Sequence, residues 1–411
     1  MEAKTIIIGG GVSGLAAAAF SPGALVLERL KLPGRKLLVT GGGRCNVTHD
    51  TDRAGVMAKF GKRARFMSPA LEGWDPAAIR NFLNDRGVPT VVEDDGCVFP
   101  ASGKSGDVLD ALVRAAYEAG AEIRCGVRVK RLLLDEAGQS VWGVETSTGE
   151  KIAARRVILA AGGKCKPELG SDGSGLEMAQ EVGLRVMPVF PSLGSLIIEE
   201  KWIASLAGLS CGEASLIIAE KGLGGRSVCG SVLFTHRGLS GPAALELSGE
   251  VAQAIGFRGG GVKLKMSFRS DRTVEDWLAC FENWRRSCGT RLVRKMLAEE
   301  LPKALAEVLC SLAGVEDMTP MAHFNRGQTE RLAELSAACP LTVTATDGCD
   351  RAMITRGGVA LSEIDPATMG CRKISGLFCV GEIVDLDAPC GGYNLTWALA
   401  SGRLAAVSSI G

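Results

Sequence analysis

Three histidines are all that the 411 residues contain, and this scarcity removes several classes of protein at once. None stands in a cluster with cysteines at zinc-ligand spacing, so no metal site is expected. The fourteen cysteines include no CxxC pair and are scattered through a long chain. That argues against both a thioredoxin-like dithiol motif and a disulfide-stapled secreted scaffold. Reduced thiols in a soluble cytoplasmic protein are the expectation. Net charge is close to absent as well. A balance of +1, with 23% of residues charged, offers no excess for a nucleic acid or an acidic membrane surface. No segment approaches the ~18 uninterrupted apolar residues that suggest a membrane span. The opening "MEAKTIIIGGGVSGLAAAAF" fails as a secretion signal, because Glu2 spoils a basic start and Gly9, Gly10 and Gly11 interrupt the apolar run. Internal repeats, low-complexity tracts and polar linkers do not occur. The partner these exclusions leave is a small-molecule substrate.

Glycine, by contrast, is abundant. The 54 glycines are roughly twice the usual share of about 7%. They gather in short clusters between apolar runs, as close backbone approaches require. The first cluster has the context of a nucleotide site. "KTIIIGG" reads as a buried parallel strand, Gly9-x-Gly11-x-x-Gly14 follows, "LAAAAF" reads as a helix and "ALVLER" as a second strand. Gly9 permits the tight turn, Gly11 lets a pyrophosphate approach the helix N-terminus, and Gly14 lets the helix pack closely on the strand. Glu28 falls 19 positions after Gly9, where a dinucleotide fold places the acid that accepts hydrogen bonds from ribose hydroxyls. The helix between them is short, about two turns.

Further along, the spacing predicts a helix over 105–119, a buried strand "RVILAAGG" ending at Gly162-Gly163, and a helix over 175–182. From Val186 the texture changes to short strands. Between Asp271 and about Ala337 the apolar residues take helical spacing. Strand texture then returns, "GLFCVGEIVD" ends at Gly381-Glu382, and "APCGGYNLTWALASG" is a glycine turn opening a final helix. Residues 259–261, three glycines joining two strand-like runs, read as a hairpin or bulge. One GxGxxG in a strand–helix context leaves no place for a second, dedicated nicotinamide domain. The expected fold is α/β. A discontinuous nucleotide-binding domain spans 1–187 and 352–411, a β-rich substrate domain spans 188–270 and 338–351, and a helical insertion covers 271–337.

"TGGGRCNVTH", residues 40–49, leaves four readings open by itself: a phosphate cradle, a cysteine nucleophile, a metal site or a charged turn. Its neighbours narrow them. "IIIGGGVSGLAAA", "LPGRKLLVTGGGRCNVTH", "VFPASGKSGDVLDAL", "LFTHRGLSGPAAL", "TRGGVALSEIDPATM" and "GLFCVGEIVDLDAPCGGYNLTWALASG" run in order over nearly the whole chain. Together they resemble the BaiN-like, or aminoacetone-oxidase-like, FAD-dependent flavoproteins. The resemblance implies a Rossmann-type FAD-binding domain built from both chain ends and interrupted by a β-barrel-like domain carrying a helical insertion. It implies FAD pyrophosphate and ribose on Gly9, Gly11, Val12, Ser13, Gly14, Glu28 and Arg29. Arg35, Lys36, Thr40, Gly41, Gly42, Gly43, Arg44, Cys45 and Asn46 would line the diphosphate and flavin, with Ala161 and Gly162 beside them. Backbone near Val129 would pair with adenine. Gly381, Glu382, Gly391, Gly392, Tyr393, Asn394 and Leu395 would close over the ribitol and the flavin pyrimidine edge, where a helix N-terminus would aim its N–H groups. The chain departs from the family pattern in its shorter first helix, in His49 for an asparagine, in Gly370-Cys371 for Glu-Ser and in Cys390 for a threonine.

The activity implied is an FAD-dependent oxidoreductase that moves a hydride through flavin N5 to or from a small organic substrate, with NADH or NADPH as a transient donor. A flavin-dependent amine oxidase using oxygen and a non-catalytic flavin-binding protein are the alternatives. His236, in "FTHRGLSGP", is the acid/base candidate because imidazole titrates near neutrality. The other reading has it only hold the turn before Ser240-Gly241-Pro242, an N-cap and helix start. Cys45 lacks a cysteine partner a few residues away, so packing against the flavin is expected over redox chemistry. Arg44 is read as an anion partner, Tyr393 as a ring neighbour or a core aromatic, Trp397 as core and His323 as structural. His49 either caps the flavin loop or lies at the surface.

Overall fold

The three consecutive isoleucines at 6–8 make the first strand, Glu2–Ile8, central to everything around it. All three are buried. An uninterrupted β-branched run of this kind suits a parallel strand covered on both faces. In the computed structural model, which describes residues 2–220, 222–223 and 225–408, that strand is flanked on both sides by parallel neighbours. The expected domain limits at 1 and 411, and positions 221 and 224 within the β-rich stretch, lie outside the described residues. Leu25–Glu28 pairs on one side with Ile6 opposite Leu25, and Lys151–Leu159 on the other with Ile6 opposite Val157.

Glu122–Cys125 extends the sheet beyond Leu25–Glu28, and the antiparallel pair Val129–Leu134 and Val141–Thr146 extends it beyond Lys151–Leu159. Leu377–Cys379 also pairs in parallel with Lys151–Leu159, so a strand from each end of the chain belongs to one sheet. This pairing is what makes the sheet unit discontinuous. It runs through Pro191 and resumes at Cys349. Three helices pack together on it: Val12–Ala19, Ser105–Glu118 and Tyr393–Ser408. The first and last approach so closely that a Cβ on Gly402 would lie 2.2 Å from the Ser13 carbonyl oxygen. A small antiparallel ribbon of Thr48–His49, Cys97–Pro100 and Thr90–Val92 stands apart from this sheet.

The second unit is Ser192–Gly348. Six antiparallel strands close into a barrel in the order Leu196–Ile198, Gly238–Ser240, Ser227–Thr235, Ser210–Ile218, Val262–Ser267 and Cys339–Thr346. Closure leaves no edge strand to pair with another chain. Between the last two strands run the helices Val274–Ser287, Val293–Leu297, Lys303–Leu312 and Arg326–Ala338. Capping boxes at Thr273/Asp276 and Asn325/Gln328 start two of them, and Trp277 and Phe281 are fully buried among them.

One expectation fails. Residues 259–261 do not form a hairpin or bulge. They end the helix Pro242–Arg258, with Gly259 at φ 68 and Gly260 at φ 83 leading into Val262–Ser267. The helix start at Ser240-Gly241-Pro242 is legible but its extent is not, because the apolar Leu245, Ile255 and Phe257 lie off the buried face and blur the one-sided stripe. Among the described residues, no helix is long and apolar enough to cross a membrane.

Candidate functional site

The strand Glu2–Ile8 ends in a loop whose three motif glycines have different surroundings. Gly9 has φ 102, and a Cβ there would sit 2.6 Å from the Ala160 carbonyl oxygen. A Cβ on Gly14 would sit 1.9 Å from the Gly9 carbonyl oxygen. Gly11 has an ordinary extended backbone, and a Cβ there would meet nothing within 4 Å among the described residues. Gly9 and Gly14 are therefore required by the fold, and Gly11 borders open space. Gly11 also caps the helix Val12–Ala19 without a side-chain hydrogen bond, so the amides of Val12, Ser13 and their neighbours remain for a ligand.

Glu28 ends the next strand and is buried. Its two oxygens accept from the Gly10 amide at 2.7 Å and the Leu30 amide at 2.7 Å. Each carboxylate oxygen can take a second donor, which leaves capacity for a ribose hydroxyl. Arg29 points to Asp172 at 3.5 Å, which Arg128 also reaches at 2.9 Å. Val129 is buried at the start of its strand, opposite Thr146.

A second group gathers around Lys36. Its Nζ lies 2.6 Å from Glu382 Oε2 and donates to the Cys165 carbonyl at 3.2 Å. Glu382 Oε1 accepts from the Thr355 amide at 2.9 Å, and Thr355 Oγ1 accepts from the Lys164 amide at 2.7 Å. Segments of the chain near residues 36, 165, 355 and 382 thus converge, with Ala161 and the left-handed Gly162 alongside. Gly381 is also left-handed, and a Cβ there would strike Ser13 Oγ at 2.6 Å. Arg35 is exposed beside this group.

The stretch from Thr40 to Asn46 is a loop of left-handed residues: Gly41 at φ 55, Gly42 at φ 67, Gly43 at φ 88 and Cys45 at φ 63. Cys45 is fully buried, and burial pushes its thiol up to about 12. At pH 8 only about one such thiol in ten thousand is a thiolate. Iodoacetamide is therefore expected to leave Cys45 unmodified in the folded protein while labelling the exposed Cys229; peptide mass mapping checks this. Arg44 already has a protein partner for its charge. It forks onto Glu93 at 2.6 and 3.4 Å and lies 4.1 Å over the Phe99 ring. Asn46 presents the opposite case, a buried Oδ1 with no hydrogen-bond partner among the described residues.

The C-terminal turn closes onto this loop. Gly391 and Gly392 have φ 124 and 85, and a Cβ on Gly392 would lie 2.5 Å from the Thr48 carbonyl oxygen. The buried Tyr393 stacks on His49 with ring centroids 5.0 Å apart. The Asn394 side chain clasps Ala388, accepting from its amide at 3.0 Å and donating to its carbonyl at 2.8 Å. Leu395 is half-buried, and Trp397 is buried with Nε1 donating to the Gly381 carbonyl at 3.1 Å.

His236 belongs to the other unit, at the exposed tip between the strands Ser227–Thr235 and Gly238–Ser240. It does not hold that turn. Thr235 Oγ1 does, accepting from the Gly238 amide at 3.1 Å and the Arg237 amide at 3.3 Å. The following helix is capped by Gly241 rather than Ser240, with Pro242 in its first turn. His323 is an exposed residue in the 3-10 turn Met321–His323. Sequence reasoning missed Thr355, Lys59 (5.7 Å over Tyr393) and Arg63, which bonds Asp385 Oδ1 at 2.6 Å. Thr355 stood within the quoted "TRGGV" and could have been found; Lys59 and Arg63 stand in an acid-free basic run over 53–65 that the sequence shows, though not their partners.

A dinucleotide cofactor fits these residues: an open glycine, free helix amides, a buried acid with spare lone pairs, and an orphaned acceptor at Asn46. The fold is a Rossmann-type sheet with a six-strand β-barrel unit, of the class of FAD-dependent oxidoreductases. The chain belongs to the family described as "HI0933-like protein Rossmann domain", whose model matches residues 3–408. It is 31% identical to the 3-dehydro-bile acid delta(4,6)-reductase of Clostridium scindens, over 97% of each chain. It is 29% identical to the ribosomal RNA dihydrouridine synthase of Escherichia coli, over 96% of this chain and 95% of the relative. Among solved structures, the 3-ketosteroid-delta4-(5alpha)-dehydrogenase from Rhodococcus jostii RHA1 aligns with 100% of this chain and 97% of its own, at a TM-score of 0.52 and 17% identity. That likeness is one of fold.

Proposed function

We propose that the chain is an FAD-dependent reductase that saturates a carbon–carbon double bond conjugated to a carbonyl, with NADH or NADPH as electron donor. The observation that carries the cofactor half is the open space over Gly11, between two glycines sealed by backbone. The direction of the chemistry rests on the relatives. One is named for reducing a bile acid and another for making dihydrouridine in RNA. Both names describe hydrogen added across a ring double bond conjugated to a carbonyl. This favours a reductase over an oxygen-using amine oxidase or a non-catalytic flavin protein.

Bound FAD supplies the hydride-transferring centre at N5. The chain's own residues bind and orient it. Amides at the start of Val12–Ala19 take the pyrophosphate, Glu28 the ribose, and the Lys36–Glu382 group holds the surrounding segments in place. Gly391 to Leu395 offer amides to the pyrimidine edge, and Asn46 Oδ1 offers a buried acceptor. His236 is retained as acid/base candidate on its residue type alone.

One stretch favours RNA as the substrate that carries the double bond. Between Asp52 and Glu72 the chain holds Arg53, Lys59, Lys62, Arg63 and Arg65 and no acid. Arg53 and Arg63 are paired, at 3.9 Å to Glu72 and 2.6 Å to Asp385, whereas Lys62 and Arg65 are exposed with no carboxylate partner among the described residues. Over the whole chain the near-zero net charge offers no excess for a nucleic acid. Phosphates are bound locally, though, so a whole-chain sum does not decide the matter.

Anaerobic titration of the purified protein with NADH and NADPH, followed by a 3-oxo-Δ4 steroid or a uridine-containing ribosomal RNA fragment, tests the proposal. Bleaching of the visible flavin band by a nicotinamide and its return with either acceptor is expected. A colourless protein, or bleaching by amines alone, would overturn the reading. Return with RNA but not with the steroid selects the RNA substrate.

A further inference from the structure

Cys165 and Cys349 are far apart in sequence, with the whole barrel unit between them, yet they are neighbours within the sheet unit. The Lys166 amide donates to the Cys349 carbonyl at 2.7 Å, and Lys166 Nζ donates to the Asp350 carbonyl at 3.0 Å. The two segments therefore run side by side at these residues, which brings the two side chains within interacting range. Their surroundings differ. Cys165 is buried, its amide donating to Thr355 Oγ1 at 3.1 Å and its carbonyl accepting from Lys36 Nζ. Cys349 is half-buried and reaches solvent.

The contact also polarises the pair. The adjacent Cys165 thiol and the nearby Lys164 charge lower the Cys349 thiol, against the opposing effect of burial. The same contact and burial push the Cys165 thiol far up. An accessible thiol that is the easier to ionise, beside a sheltered one, is the arrangement of an attacking and a resolving cysteine. Cys371 and Cys379 provide an internal contrast. Their sulfurs are 3.7 Å apart, but both are buried, and the Cys371 thiol is raised by its contact with Cys379 and by burial. Proximity is present there without access.

We propose that Cys165 and Cys349 are a reversible disulfide site, oxidised by exchange with a low-molecular-weight disulfide such as glutathione disulfide. The Cys349 thiolate attacks one sulfur of that disulfide, its S–S bond breaks, and the departing thiolate takes a proton from solvent. Cys165 then loses its proton and attacks Cys349 Sγ. The Cys165–Cys349 bond forms and the second small thiolate leaves and is protonated. Two protein thiols lose two electrons, and one small disulfide gains them to become two thiols. The bond ties together the two chain segments that form the sheet unit, next to the carbonyl that Lys36 holds.

The purified protein, as isolated, is incubated with glutathione disulfide, blocked with iodoacetamide under native conditions, digested and mapped by mass. The expected product is a Cys165–Cys349 peptide pair about 2 Da lighter than its two thiol peptides together, which separates on adding excess dithiothreitol. Cys371 and Cys379 are expected to become alkylated only after unfolding. Cys165→Ser is expected to trap a stable glutathione adduct on Cys349. Free thiols at both Cys165 and Cys349 in the treated parent protein, or a lasting adduct on Cys349 with no cross-link, would sink the proposal. The parent map decides this even if the variant does not fold.

Discussion

Gly11→Ala is expected to yield a folded protein without bound flavin, whereas Gly14→Ala is expected to yield one that does not fold stably. The two positions belong to one motif and differ by one geometric fact. The Gly11 backbone is extended at φ −77 and ψ −173, which any residue adopts, and its Cβ would enter open space. An alanine there costs the apoprotein less than about 0.5 kcal/mol, as for a substitution that disturbs no contact. The same methyl group occupies the space into which the cofactor pyrophosphate would come. Loss of a hydrogen bond to the charged pyrophosphate, about 1.5–3 kcal/mol, corresponds to a loss of FAD affinity on the order of 100-fold. At Gly14 the methyl would lie 1.9 Å from the Gly9 carbonyl oxygen, so helix and strand must separate. Overpacking of that severity costs about 3 kcal/mol or more. Urea unfolding of the two apoproteins, with flavin titration of whichever folds, checks both. Full flavin binding by Gly11→Ala would remove the pyrophosphate from this loop.

Lys36→Met is the second large expected effect. Lys36 Nζ and Glu382 Oε2 are 2.6 Å apart, with side chains only 19% and 21% exposed. Removing the cation leaves Glu382 with the Thr355 amide alone, and leaves the Cys165 carbonyl without its donor. Exposed ion pairs contribute little, whereas stranding one member of a buried pair costs about 3–5 kcal/mol. This pair lies between those limits, and a loss of about 2–3 kcal/mol in apoprotein stability is expected. Glu382→Gln, which keeps an acceptor for Thr355, is expected to cost about 1 kcal/mol. Equal stability of Lys36→Met and the parent in urea would show that the pair does not hold the segments together.

These expectations rest on features of unequal legibility. The first strand, its glycine loop and Glu28 could be read directly, because each is a local pattern with a local cause: β-branched burial, backbone contact, an acid at a set distance. The inserted barrel and the helices after residue 271 showed as changes of texture for the same reason. Only the start of the helix Pro242–Arg258 showed, at Ser240-Gly241-Pro242, since Leu245, Ile255 and Phe257 lie off the buried face and blur the stripe that marks its length. Arg44 could be recognised as a charge in need of a partner. That the partner is Glu93, on the neighbouring ribbon, follows from the pairing of Thr48–His49 with Cys97–Pro100 and from no local signal.

The sequence by itself therefore determined the glycine loop, the acidic residue, the α/β architecture and the family, because backbone conformation and burial act over a few residues at a time. Tertiary structure alone decided that Gly11 faces open space while Gly14 does not, and that Lys36 meets Glu382. It also decided that Cys165 meets Cys349. Each of these depends on which distant segments the parallel sheet draws together, and no window of sequence contains both partners.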